Sequence, residues 1–434
     1  MLSILKNRSY RHLLAAQVIA LLGTGLMTVA LALLAYELAG ESAGTVLGTA
    51  FAIKMIAYVG ISPIAQAFAN HLPRRTLLVL LDLVRASVAL CLPFVTETWQ
   101  IYVLIFLLQS ASAGFTPAFQ ATIPDILPNE EDYTKALSLS RLAYDIESLV
   151  SPVIAAALLT VISFENLFAG TGIGFLLSAA LVISVTLPSP IAQQRRSIWE
   201  RTTRGFQLYL ATPRLRGLLS INLAVAAAGA IVIINTVVIV KANMGLSQTE
   251  VAWALAAFGG GSMLAAFSLP PLLEKVSDRT VMLAGVSLLT AGTLAGAITS
   301  SYAHLVIIWF IIGVGYSTAQ TPSGRLLRRS SHPEDRPALF AAQFALSHAC
   351  WLVCYPLVGI LGAALGMPTT FIIMSMMTLL SIFLTVKLWP AGDPSDLVHT
   401  HPELPHDHPH LRQHSQDGQH KHTLIIDDLH RHWP

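Results

Sequence analysis

Long apolar segments recur along nearly the whole of this 434-residue chain. A helix of about 20 apolar residues is enough to cross a bilayer core that is about 30 Å thick. Hydrophobic residues make up 54% of the chain and charged residues only 12%, whereas charged residues are about 25% of a soluble globular protein. The pattern therefore predicts an all-α membrane protein that crosses the bilayer many times.

Polar residues divide the apolar sequence into twelve segments of membrane-spanning length. They are residues 13–36, 45–68, 77–95, 99–120, 137–161, 166–187, 217–240, 250–271, 280–299, 304–322, 338–363 and 368–389. The first segment is too long for the apolar part of a cleaved signal peptide, and further spans follow it directly. We therefore expect twelve transmembrane helices.

Lysine and arginine residues between these segments fall almost entirely on alternate loops. The opposite set of loops carries only Lys241. Loops that face the cytoplasm are enriched in lysine and arginine, so we expect both termini in the cytoplasm and the protein in a bacterial inner membrane. The small net charge of +2 follows from this placement and gives no indication of a nucleic-acid partner. We expect a monomer whose surroundings are the lipid bilayer.

The longest internal polar stretch divides the spans into two sets of six. The predicted domains are a six-helix bundle at 1–187, a central cytoplasmic loop at 188–216, a second six-helix bundle at 217–389 and a tail at 390–434. We expect a helix on the membrane surface in the middle of the central loop and no regular structure in the tail. Membrane transporters built from two such halves carry their substrate between them, near the middle of the bilayer.

The chain lacks the motifs of ATP-driven transport and of enzymatic chemistry. There is no Gly-rich GxxxxGK[ST] sequence, so nothing points to ATP. The three cysteines, Cys91, Cys350 and Cys354, lie inside predicted spans and form no CxxC pair. No spacing of a nucleophile and a base stands out. The chain is therefore expected not to be an enzyme and to have no resident cofactor.

Charged residues inside the spans are the first candidates for function, because a charge is costly in a bilayer. The fifth span carries Arg141, Asp145 and Glu147, and the second carries Lys54. Arg141 and Asp145 are four residues apart and can pair on one helix face. They form either a structural ion pair or, with Glu147, a site where a carboxylate takes up and releases protons or a cation. Lys54 either pairs with a carboxylate or faces the transport path.

The last 36 residues hold ten of the fifteen histidines of the chain. Neutral imidazole is a common ligand of Ni²⁺, Cu²⁺ and Zn²⁺. The predicted metal ligands are His399, His401, His406, His408, His410, His414, His420, His422, His430 and His432. Histidines alone do not select one of these metals, and a solvated tail without a function has the same composition. The segment Leu424-Ile425-Ile426 is apolar and is a candidate for docking on the transporter or the membrane surface.

Six plus six spans, a basic central loop and a short charged loop after the second span resemble the major facilitator superfamily. In that loop the family pattern G-x-L-A-D-R-x-G-R-R/K is matched by Arg74 and Arg75, while Asn70 and His71 replace its acid and first arginine. The resemblance implies that Arg74 and Arg75, with Asp82 and Arg85 of the third span, latch the bundles together on the cytoplasmic side. For Asp82, a ligand role is the alternative.

Two further stretches are similar to an exporter branch of that superfamily. They run from Asn7 to Gly25 and from Ile123 to Asp125. Together with the histidine-rich tail, they resemble NreB-type nickel-resistance exporters. The resemblance implies a proton antiporter that exports Ni²⁺, and also Co²⁺, with nickel as cargo and as ligand of the tail. An exporter of an organic solute, such as a drug or siderophore, whose tail senses metal is the alternative. A non-transporting metal receptor and an importer are also compatible with the sequence.

Overall fold

The computed structural model describes residues 2–39, 43–69, 72–188, 198–392, 396–398, 415–416, 419–423, 425–427, 429–430 and 433. Thirteen α-helices run through this part of the chain. They are α1 Arg8–Ala39, α2 Ala43–Ala69, α3 Arg74–Cys91, α4 Thr98–Ile126, α5 Glu130–Leu158, α6 Glu165–Ile183, α7 Ile198–Ala211, α8 Pro213–Ala230, α9 Gln248–Leu273, α10 Asp278–Gly296, α11 Tyr302–Gln320, α12 Ser323–Arg329 and α13 Arg336–Leu388.

Short helical turns extend two of these spans. A 3₁₀ turn, Leu92–Phe94, continues α3. Two π-helical segments, Ile231–Asn235 and Val238–Asn243, continue α8 to the far side of the bilayer. A further 3₁₀ turn, Leu2–Lys6, precedes α1.

The helices confirm the predicted all-α membrane fold of twelve spans. Within the described residues, ten helices are long and apolar enough to cross a membrane. The ten do not include α5, because its polar and charged residues lower its hydropathy, and they count the 53-residue α13 once. The predicted spans 338–363 and 368–389 both lie within α13, which is interrupted at Gly366 (φ 78°, ψ 169°). The two parts of α13 are the eleventh and twelfth spans.

The spans pack as two six-helix bundles that contact each other through α2, α4 and α5 of one bundle and α9 and α13 of the other. The N-terminal bundle holds α1–α6, and the C-terminal bundle holds α8–α11 and α13. Between the bundles, α5 packs against α9, and α13 packs against α2 and α4. Very small residues allow close crossings, as where Gly261 of α9 and Gly313 of α11 each leave no room for a Cβ beside the opposite backbone.

Helix starts at the loops follow ordinary capping chemistry. The Asn129 side chain accepts hydrogen bonds from the backbone N–H groups of Glu131 and Asp132 at the start of α5. Ser247 and Glu250 form a reciprocal capping box at the start of α9. These caps satisfy N–H groups that have no partner within the helix. They explain why the polar loops divide the apolar sequence close to the predicted positions.

The central segment differs from the expected surface helix. Its helix α7 packs against α13, and Leu208 and Tyr209 are buried. The Tyr209 hydroxyl donates a hydrogen bond to Gln343 at 2.6 Å. The apolar side of α7 is therefore covered by protein at that point.

The tail also differs from the expectation of no regular structure. The strand β3 Gln419–Thr423 pairs antiparallel with β1 Asp396–Val398 and with β2 Ser415–Gln416. The predicted ligands His420 and His422 are part of β3, opposite Ser415 and Leu397 respectively. The expectation of disorder rested on residue composition. Composition does not report which segments of the tail hydrogen-bond to each other.

The break in α13 provides a test of the packing of the last two spans. Gly366 has backbone angles that residues with a Cβ rarely adopt, at a cost of about 1–3 kcal/mol. We expect Gly366→Ala to lower the melting temperature of the purified protein by several degrees. Gly359→Ala is the control, since Gly359 lies in a helical part of α13 with open space around it. Equal melting temperatures for the two variants would contradict this account.

Candidate functional site

A polar network joins the two bundles near the middle of the membrane. Arg141 and Asp145 of α5 form the ion pair that their spacing predicted. Ser262 of α9 donates a hydrogen bond to Asp145 at 2.8 Å and accepts one from Arg141 Nε at 3.2 Å. Asp145 and Ser262 are buried. The pair is therefore completed by a hydroxyl from the opposite bundle.

Aromatic rings surround this network on the C-terminal bundle. The Arg141 guanidinium lies 4.7 Å from the centre of the Tyr316 ring. Tyr316 in turn contacts the Phe258 and Trp351 rings, with centroid distances of 5.4 and 6.4 Å. Trp351 stacks obliquely on Tyr355 at 5.0 Å. A row of aromatic rings therefore lies beside the positive charge of Arg141.

A second aromatic group crosses the interface between α2 and α13. Tyr58 lies 4.8 Å from Phe344 and 4.8 Å from His348, measured between ring centroids. The His348 Nδ1 atom lies 2.7 Å from the carbonyl oxygen of Phe344. The His348 ring is therefore held by a contact within its own helix and packs on the Tyr58 and Phe344 rings.

Lys54 and Glu147 face each other across the N-terminal bundle without direct contact. They interact electrostatically, but neither forms an ion pair within 4.0 Å with another described residue. Lys54 Nζ lies 5.6 Å from the centre of the Tyr58 ring. It also lines a cleft with Thr24, Thr28, Gln109 and mainly apolar side chains.

At the arginine-rich end of the molecule, charged residues tie the two bundles together. The Asp125 carboxylate at the end of α4 pairs with Arg74 of α3 and with Arg336 of α13. Arg325 of α12 reaches Glu130 at 2.8 Å and also pairs with Asp278 at 2.8 Å. Together these pairs connect the bundles at that end, and we refer to them as the arginine gate.

The structure separates the four residues predicted for this gate. Arg74 belongs to the arginine gate, whereas Arg75 is exposed. Asp82 and Arg85 pair with each other inside the N-terminal bundle, where Ser178 donates a hydrogen bond to Asp82 at 2.8 Å. They do not pair with Arg74, because Arg85 is enclosed by the Phe115 and Phe175 rings, at 3.9 and 4.5 Å.

Several residues of the site were not singled out from the sequence. Asp125 and Arg336 carry the contact between the bundles, and Ser262 completes the Arg141–Asp145 pair. Asp125 lies directly after the second of two prolines in α4, at the last turn before a loop. An acidic residue at the end of a predicted span was the only indication that the sequence offered. Its partner Arg336 is 211 residues away along the chain, so the pair itself could not be predicted.

Metal-ligand clusters do not form among the described residues, where no group of three histidine, cysteine, aspartate or glutamate side chains is placed to hold an ion. Of the predicted tail ligands, His399, His401, His406, His408, His410, His414 and His432 lie outside the described residues. His430 is described, and its Nδ1 lies 2.9 Å from the Asp427 carboxylate. Cys350 and Cys354 are buried free thiols.

The end of the tail docks on the arginine-rich face. Ile426 is buried, in agreement with the predicted docking of this apolar segment. Asp427 also lies 3.4 Å from His332 Nε2, in the loop before α13. The hydrogen bond to Asp427 raises the pKa of His332 above its usual value. Burial opposes ionisation of Asp427, but the hydrogen bonds from His332 and His430 outweigh it and hold its pKa below the usual range.

The arginine gate can be tested by removing the charge that bridges the bundles. We expect Asp125→Asn to open the arginine-rich end more often, because Arg74 and Arg336 then lose their shared partner. The measurement is the rate at which a maleimide labels Tyr58→Cys in a Cys91→Ser background, since Cys350 and Cys354 are buried, and we expect a rise of several-fold. Glu131→Gln is the matched control, since Glu131 pairs only with Lys135 on its own helix among the described residues. Unchanged labelling in Asp125→Asn would contradict a gating role.

Three of the solved structures that share this architecture are two transporters and a homologue of a transporter. The human organic anion transporter MFSD10 superposes with a TM-score of 0.75 at 11% identity and covers 87% of this chain and 99% of its own. A bacterial homologue of the iron transporter ferroportin, in an outward-facing state, gives 0.73 at 14% identity, with 88% and 99% covered. The fucose:proton symporter of E. coli gives 0.69 at 13% identity, with 87% and 97% covered. At these identities the likeness concerns the fold alone.

Sequence relatives include bacterial efflux proteins. An uncharacterized MFS-type transporter of Bacillus subtilis, YfiS, is 26% identical over 340 residues, which is 74% of this chain and 79% of that protein. Macrolide efflux protein A of Streptococcus pyogenes is 23% identical over 324 residues, 71% of this chain and 78% of that protein. The family model described as Major Facilitator Superfamily matches residues 13–238 and 217–412. The chain is therefore a multi-pass membrane protein that belongs to the major facilitator superfamily of transporters.

Proposed function

We propose that this transporter exports an amphipathic organic solute from the bacterial cytoplasm by proton antiport. The observation that carries the proposal is the chemistry of the path between the bundles. Rings of Tyr58, Phe344, Tyr316 and Trp351 line the interface beside the charges of Arg141 and Lys54. Apolar and aromatic walls with a few fixed polar groups are typical of sites for organic ligands.

The same region offers little to a small divalent cation. Fixed positive charges at Lys54 and Arg141 repel a cation, and Asp145 is already bound by Arg141 and Ser262. Within the described residues no three metal-ligating side chains converge. Of the two export functions considered from the sequence, export of an organic solute is therefore better supported by the geometry. The likeness to a macrolide efflux protein supports the same choice.

Glu147 is the residue we propose for proton coupling. It lies in α5 one turn of helix or less from Asp145, yet it has no ion-pair partner within 4.0 Å among the described residues. A carboxylate in apolar surroundings takes up a proton more readily than one in water. Protonation of Glu147 would remove the charge that balances Lys54. A proton and a cationic group of the solute would then compete for the same carboxylate, which is the exchange that antiport requires.

The position of Asp145 suggests a different role. Its carboxylate accepts hydrogen bonds from Arg141 and from Ser262 of the opposite bundle. A group held by both partners is unsuited to frequent protonation. We propose that the Arg141–Asp145–Ser262 contact fixes the relative position of the bundles in the conformation closed at the arginine gate.

A second candidate function is export of nickel, and also of cobalt. The observation that favours it is the tail with ten histidines in 36 residues. In this alternative the tail raises the local concentration of the ion at the cytoplasmic mouth. The path between the bundles would then have to carry an ion without a set of three ligands from the described residues.

The role of Glu147 can be measured in everted membrane vesicles energised with a proton gradient. We expect Glu147→Gln to reduce gradient-driven uptake of erythromycin or ethidium at least tenfold, because a neutral side chain cannot carry the proton. Binding of the same probe in the absence of a gradient should persist. Glu37→Gln is the matched control, since Glu37 is an exposed acid near the end of α1. Uptake at the wild-type rate in Glu147→Gln would rule out this coupling role.

The two cargo classes can be separated by a growth series. We expect the full chain to protect a sensitive bacterial host against a macrolide, and a truncation after Pro394 to protect as well, because the tail lies outside the aromatic path. Cellular nickel content, measured in the same cells, should not fall. Lower nickel content and nickel tolerance that vanish on truncation would instead establish the metal exporter.

A further inference from the structure

The end of the tail makes specific contacts with the arginine-rich face of the C-terminal bundle. We call the described residues 425–427, 429–430 and 433 the C-terminal strap. Ile426 is 4% exposed and joins the large apolar core that is built mainly from the C-terminal bundle. Trp433 packs on the Arg214 guanidinium at the start of α8, 5.1 Å from ring centre to guanidinium carbon. The strap is therefore anchored at both of its ends.

Between these anchors, Asp427 organises the strap. Its Oδ1 atom accepts hydrogen bonds from the backbone N–H groups of Leu429 and His430 at 2.8 and 2.7 Å. The same oxygen lies 2.9 Å from the His430 ring, and the other oxygen lies 3.4 Å from His332 Nε2. One carboxylate thus folds the strap and ties it to the loop before α13.

His332 connects the strap to the arginine gate. Its carbonyl oxygen accepts the backbone N–H groups of Asp335 and Arg336, both at 3.1 Å. Asp335 pairs with Arg204 of α7 at 3.0 Å, and Arg336 pairs with Asp125 of the N-terminal bundle. His332 lies four residues before Arg336. A contact that fixes the position of His332 therefore also restricts Arg336, whose side chain joins the two bundles.

We propose that the C-terminal strap stabilises the conformation closed at the arginine gate and that a divalent transition metal releases it. The strap positions Arg336 through His332. The metal acts through His430, which belongs both to the strap and to the histidine set of the tail. The proposal depends on movement between two bundle positions and on neither of the two cargo classes.

Competition between the metal and the docked strap follows from the ligand geometry. In the docked strap, His430 Nδ1 and His332 Nε2 both face Asp427. No three-ligand group forms among the described residues of this conformation. Ni²⁺ gains affinity from each additional imidazole, so it favours a tail in which His430 is available with the other histidines. A ligand that binds the released form more tightly shifts the population toward it.

The experiment measures the gate directly in the full chain in lipid nanodiscs. Spin labels are placed at Thr76→Cys in α3 and Lys275→Cys after α9, two exposed positions on opposite bundles at the arginine-rich end. The background is Cys91→Ser, since the other two cysteines are buried. Pulsed dipolar spectroscopy then gives the distribution of distances for the closed and open gate.

For the strap itself, we expect Asp427→Asn and Ile426→Ala each to raise the ratio of open to closed gate about tenfold, the effect of losing one charged hydrogen bond or one buried side chain. Asp407→Asn is the control, an acid of the same tail outside the strap. Both residues belong to the strap and not to the spans, which end with α13 at Leu388, so loss of the whole fold is not expected. Distance distributions equal to that of the wild type in both variants would overturn the proposed role of the strap in closing the gate.

For the metal, we expect NiCl₂ to shift the wild-type distribution toward the open gate, and MgCl₂ at the same concentration to leave it unchanged. NiCl₂ should add little to the shift already present in Asp427→Asn. Isothermal titration calorimetry of the same samples shows whether nickel is bound. Nickel binding without any change of the gate distance would overturn metal release, as would an equal shift with Mg²⁺. Failure of transport assays for either cargo would leave these distances unaffected.

Discussion

The buried ion pair between Arg141 and Asp145 constrains how the helices of the membrane region can pack. A charge placed in hydrocarbon is stable only when it is paired and its remaining hydrogen-bonding groups are satisfied. Here the partners lie on the same helix face, and the last hydrogen bonds come from Ser262 of the other bundle. The consequence is that α5 is a poor membrane helix alone and a good one when it faces α9. Contact between the bundles is thus required by the charges that run along it.

The aromatic groups follow from the same requirement. A guanidinium that leaves water keeps part of its stabilisation by lying over a ring, as Arg141 does over Tyr316 and Arg85 over Phe115. In the N-terminal bundle this arrangement is closed on all sides and serves packing. At the interface between the bundles the rings continue through Trp351 to Tyr355. This second group of rings is the one that we propose for contact with an organic solute.

Sequence patterns predicted the spans, the two bundles and the Arg141–Asp145 pair because these depend on neighbours along the chain. Apolar length, capping residues and a spacing of four are local properties. Asp125 with Arg336, and Asp145 with Ser262, join residues more than a hundred positions apart, so no local pattern reports them. Asp82 shows that a family resemblance can also mislead. The resemblance places it in the cytoplasmic gate, whereas in the structure Ser178 and Arg85 hold it inside the N-terminal bundle.

The arginine gate differs from the charges inside the membrane in its contact with water. Arg325 and Arg329 share Asp278, while Glu130, on the opposite bundle, is about half exposed. At 0.1 M salt the screening length is about 10 Å, and dissolved ions weaken a pair with an exposed member more than a buried pair. Among the described gate pairs, the one between Arg325 and Glu130 is therefore the contact between the bundles that responds most to ionic strength. Added salt on that side of the membrane would weaken it while the buried Arg141–Asp145 pair keeps its strength.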